Sequence, residues 1–182
     1  MYYKVDLSDN YNHTIYKDIN YNKEISKLPI STHGIKNIHI IEKIKYNLQF
    51  FNIEFEWQPN KNLFDNISCD GNFIPIINNS YESISFIGFS EMGTICDDVI
   101  ISTFERDIQI PLIMKTFHTN NFKGIDDFGP NNDCKKVVSL LGDDNQKHHL
   151  YFWKVIFDKY EKITAITLPV NRAIHIMCIT LA

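Results

Sequence analysis

His148 and His149 stand side by side a few residues after Asp143-Asp144. An imidazole beside a carboxylate is the elementary general-base arrangement. Neighbouring residues on a strand point to opposite faces, so the two rings would not close on one metal ion. The other histidines, at positions 13, 33, 39, 118 and 175, are scattered along the chain. Asp133-Cys134-Lys135 has the Asp-x-Lys spacing of many metal-dependent nucleases, where a carboxylate holds the ion and a lysine steadies the attacking water. Asp133 reads better as a helix N-cap. The run Asn66-Ile67-Ser68-Cys69-Asp70-Gly71 places glycine sixth, as a calcium loop does, but its twelfth place is Ile77, which has no carboxylate to offer. Cys69, Cys96, Cys134 and Cys178 contain no CxxC pair and are expected to be free, mostly buried thiols. There is no Gly-x-Ser-x-Gly, Walker loop, HExxH or glycine-rich dinucleotide turn. No catalytic residue, metal site or cofactor is therefore assigned.

Charge is distributed more informatively. Residues 63–122 carry two basic and eight acidic side chains, within a chain of net charge −4. Glu91, Asp97, Asp98, Glu105 and Asp107 flank the apolar run Val99–Phe104. Such a patch would meet a basic protein partner, steering its approach and setting specificity. Nucleic acid is disfavoured, since the pI is about 5.9 and no basic stripe interleaved with aromatics is present.

The elements that must carry these residues are mostly strands. In 43–57, Ile44, Tyr46, Leu48 and Phe50 alternate with polar residues, and then the phase flips to Phe51, Ile53, Phe55 and Trp57. A slipped period of two reads as one long strand with a bulge, or a strand crossing between sheets. Residues 66–77 read as a hairpin turning at Asp70-Gly71. Pro75 marks an edge position in its second arm. Ser83–Phe89, Val99–Phe104 and Ile108–Phe117 read as strands, the last two joined by a turn at Glu105–Asp107. Leu150–Phe157 and Ile163–Val170 read as a second hairpin, with the alternative that Tyr151–Tyr160 is helical. Arg172–Leu181 is apolar on both faces and reads as a central strand. One short helix is expected after Asp133, because Cys134, Val137, Val138 and Leu141 recur at helical spacing before Gly142.

The chain has 182 residues, 44% hydrophobic and 22% charged, which suits a single domain over 1–182 with 1–34 as a partly irregular lead-in. No run is long and apolar enough for a membrane helix, and the mixed charges of the first 30 residues leave no apolar segment for a signal peptide. A cytoplasmic location is expected, with no membrane partner. Ile, Asn, Lys, Phe and Tyr, all specified by A/T-rich codons, make up 86 residues; the chain reads as the product of an A/T-rich genome or mobile element. Ile, Phe and Tyr also favour pleated surfaces. The expected fold is mainly β, an antiparallel sandwich or strongly bent sheet with one or two short helices, with α+β as the alternative. The expected function is a non-enzymatic protein-binding module, an inhibitor or immunity protein that neutralises a basic toxin or nuclease. The alternatives are a virus- or phage-encoded host-interaction protein and a small hydrolase using His148 or His149.

Overall fold

The computed structural model of the chain describes residues 2–17, 35–36, 46–57, 64–117, 134–142 and 145–182. Twelve strands are described: β1 Tyr3–Lys4, β2 Tyr16–Lys17, β3 Ile35–Lys36, β4 Tyr46–Phe50, β5 Ile53–Trp57, β6 Ile67–Ser68, β7 Phe73–Ser90, β8 Ile95–Thr103, β9 Asp107–Met114, β10 Lys135–Leu141, β11 Lys147–Thr167 and β12 Ile174–Leu181. Among the described residues there is no helix, and so none long and apolar enough to cross a membrane.

The frame is the antiparallel pair β7–β11, with 18 and 21 residues. Strands this long bend, and two register shifts mark where. β12 pairs with the C-terminal half of β7, from Ile84 to Ser90, while β1 and β6 pair with the other edge of β12. β10 pairs with the N-terminal part of β11 and β8 with its C-terminal part, and β9 closes the edge beyond β8. The hairpin β4–β5 lies over this sheet. Phe55 meets Phe152 edge-on at 6.1 Å, and the Thr180 hydroxyl donates to the Glu54 carbonyl at 2.8 Å. The core is one contiguous set of side chains, from Val5, Leu7 and Tyr11 through Phe55 and Phe86 to the six apolar residues of β12, whose His175 and Thr180 are buried as well.

Several sequence expectations are met. β12 is central and wholly buried, the β8–β9 turn lies at Phe104–Arg106, and Pro75 sits where β7 has no strand on its outer side among the described residues. Others are corrected. The expected helix over 134–141 is strand β10, and Asp133 lies outside the described residues. A register shift between Lys136 and Val138 places Val137 and Val138 both half-buried. That bulge imitates helical spacing. The phase flip at Phe50–Phe51 is a two-residue hairpin turn in which Phe51 and Asn52 have φ of 52° and 62°, the positive values of a type I′ turn. Asp70-Gly71 is a turn, with Gly71 at φ 72°, yet it joins no paired strands: β6 and β7 lie on opposite sides of β12. The expected hairpin over 150–170, and the helical alternative, are both replaced by the continuous strand β11. Residues 157–160, of which Asp158, Lys159 and Tyr160 are exposed, form a bulge between Ile156, opposite Ser83, and Glu161, opposite Tyr81. Of the N-terminal lead-in, residues 5–15 contain little regular structure but bury Val5, Leu7, Tyr11 and Ile15; residues 18–34 lie outside the described residues.

Candidate functional site

The densest polar arrangement in the interior is built around His175. β12 is buried on both faces, so an imidazole near its start must find partners inside the protein. Its Nδ1 faces Asn66 Oδ1 at 2.7 Å and its Nε2 faces Glu91 Oε1 at 2.6 Å. Asn66 is held in that orientation because its Nδ2 donates to Asp65 Oδ1 at 2.6 Å. Asp65 in turn accepts from the Thr14 hydroxyl and the Ile15 amide. Asn66 Oδ1 and Glu91 Oε1 therefore flank the two nitrogens of one ring, with Nδ1 donating to the amide oxygen. His175 and the Glu91 side chain are both fully inaccessible. Burial lowers the basicity of His175, and the Glu91 contact opposes that shift without cancelling it. Phe89 stacks on the ring at 4.7 Å, His13 meets it edge-on at 5.0 Å, and Phe117 links Phe89 to His148 by a further stack at 4.6 Å. The assembly can fix three segments against one another. Being closed to solvent, it offers no face to a substrate.

The two adjacent histidines part company, as their strand geometry requires. His148 is buried against Phe117, whereas His149 is half-buried and its Nδ1 lies 3.0 Å from the Ser139 hydroxyl, directly across the β10–β11 pair. Burial, with Lys136, His148 and Lys147 nearby, lowers the basicity of His149. A neutral imidazole beside a hydroxyl is the first half of a nucleophile–base pair. Asp143 and Asp144, the carboxylates expected beside it, lie outside the described residues.

The acidic residues singled out from the sequence do not form one patch. Glu91 is removed from the surface by its bond to His175. Asp97 is half-buried and accepts from Asn171 Nδ2 at 3.1 Å. Asp98, Glu105 and Asp107 are exposed on the β8–β9 hairpin. Asp98 and Asp107 share its outer face, because Asp107 lies opposite Ser102, four residues along β8 from Asp98; this is about 13 Å at ~3.3 Å per residue. The hairpin's one cation, Arg106, is turned away to Glu161 at 3.3 Å. None of the three carboxylates has an ion-pair partner among the described residues.

Cys69, Cys134 and Cys178 are buried and Cys96 is exposed; all four are free. Burial pushes the Cys134 thiol up to about 11 against the lowering effect of Lys115, and pushes Cys69 and Cys178 higher still. Among the described residues no group of three His, Cys, Asp or Glu side chains could hold a metal ion. Sequence reasoning missed the His175 network, although a lone histidine in an otherwise apolar central strand was its signal.

A family model described as an AziU2-like beta-sandwich domain matches residues 4–182. No curated protein matches the chain.

Proposed function

The chain belongs to the AziU2-like beta-sandwich domain family, and from that premise we propose that it is a non-enzymatic protein-binding module that docks a basic protein on its β8–β9 hairpin. A sandwich is a scaffold on which many activities are mounted, so the reading rests on the surface and not on the fold. The observation that carries it is the set of carboxylates on Asp98, Glu105 and Asp107, exposed along one edge hairpin whose only cation is engaged elsewhere. A ridge of unneutralised charge raises the encounter rate with a cationic surface and disfavours anionic ones. A cytoplasmic inhibitor or immunity protein that neutralises a basic toxin or nuclease is the biological role that fits such a ridge.

Co-purification from the native organism at low and high salt tests this, with a triple charge-reversal variant alongside (Asp98→Lys, Glu105→Lys and Asp107→Lys). The expected result is a basic protein retained by the natural chain at low salt, released at high salt and lost with the variant. Equal retention by both chains, or recovery of no basic protein, contradicts the proposal.

A second reading has one observation in its favour, the 3.0 Å approach of Ser139 to His149. It makes the chain a small hydrolase with Ser139 as nucleophile. Binding alone predicts that Ser139→Ala leaves the slow hydrolysis of p-nitrophenyl acetate unchanged; a loss of about tenfold or more would favour the hydrolase.

A further inference from the structure

A groove of about 530 Å³ opens where β1 approaches the middle of β7 and β11. That volume falls within the range of small-molecule sites, roughly 300–1,000 Å³. Tyr2, Tyr3, Tyr81 and Tyr160 line it, and the rings of Tyr3 and Tyr81 stand 6.0 Å apart with a tilt of 31°. Tyrosine rings give flat, apolar contact area that is stiff before anything binds. Lys154 lines the same groove from β11, half-buried and with no hydrogen bond or ion pair among the described residues. Glu82 is also at this groove, but its Oε2 accepts from the Tyr160 hydroxyl at 3.3 Å and does not pair with Lys154. A half-buried lysine without an ion pair, lining the same groove as four tyrosines, offers a cationic anchor for an anion attached to something flat.

We propose that this groove binds a small aromatic carboxylate, with the ring against the tyrosines and the carboxylate on Lys154. The site is separate from the β8–β9 hairpin and does not depend on the protein-binding reading. It is tested on the full chain by following backbone amide shifts during titration with 4-hydroxyphenylacetate and indole-3-acetate. The neutral 4-hydroxyphenylacetamide and the cationic tyramine serve as matched controls. The expected result is a saturable shift at Tyr3, Tyr81 and Lys154 for the carboxylates, weakened about tenfold in the amide. Lys154→Met should impose the same loss on the carboxylates and Lys154→Arg should restore most of it, with the spectrum of each variant showing that it is folded. The absence of saturable shifts at millimolar carboxylate overturns the proposal, as does equal binding of acid and amide or indifference to Lys154→Met. Tighter binding of tyramine would make Glu82 the anchor and overturn it equally.

Discussion

His175 joins β12 to the segment around Asn66 and to the end of β7, across 109 and 84 residues of sequence. Removing one member of such a buried pair leaves the other desolvated and unmatched, which typically costs about 3–5 kcal/mol. His175→Ala should therefore lower the urea midpoint with the slope of the transition unchanged. The pair also sets a pH dependence. With its folded pKa held below the ordinary value of 6.5, His175 takes up a proton more readily in the unfolded chain. Stability contributed by the neutral ring is complete above pH 6.5 and falls on acidification, down to the folded pKa, by up to ~1.4 kcal/mol per pH unit. Urea unfolding at pH 7, 6 and 5 should show a steeper acid loss for the natural chain than for His175→Gln; equal slopes would contradict this. The thiols give a second residue-scale prediction. Ellman's reagent at pH 8 should label Cys96 alone in the folded chain, and all four cysteines only after denaturation, since only the thiolate reacts and three thiols are buried. Labelling of Cys96 should be slow for an exposed thiol, because partial burial with Asp98 and Asp97 nearby raises its pKa. At this scale the sequence was half legible. Free, mostly buried cysteines are visible in their apolar neighbours. The burial of Glu91 is not, because its partner lies 84 residues away and only the folded sheet brings them together.

At the scale of elements, β7 and β12 approach closely at Gly88. A Cβ there would stand 2.2 Å from the backbone oxygen of His175, and backbone cannot swing aside. Gly88→Ala should cost about 3 kcal/mol, at the upper end of overpacking penalties, and be read as a fall in the thermal midpoint. Gly93→Ala is the contrast: its Cβ would meet nothing within 4 Å, and its only penalty is the left-handed φ of 71°. Strand positions were readable from alternation in β4 and β5 and from apolar runs in β8 and β12. The pairing of strands was not. Phe51-Asn52 turns a hairpin without the usual Asn-Gly or Asp-Gly, so its phase flip looked like a bulge within one strand. A real bulge in β10 looked like a helix, because one extra residue turns a period of two into apolar residues at i, i+3 and i+4. The polar stretch Asp158–Lys162 looked like a turn. β8 and β10 pair only with the two ends of β11, so its middle is free to bulge and tolerate charge.

For the whole molecule, the mainly β sandwich was legible because composition and alternation agree, and residues 4–182 match a β-sandwich family. The helix expected after Asp133 is strand β10 and no helix occurs among the described residues, while what the sandwich is for depends on its surface. On the proposed function, the outer face of β8–β9 is where the basic partner docks. Amide hydrogen exchange on the chain alone and with its co-purified basic partner tests this, with new protection expected over residues 95–114, diminished when Asp98, Glu105 and Asp107 are reversed in charge. Protection confined to β10 and the start of β11, around Ser139 and His149, with the hairpin unchanged, would contradict it.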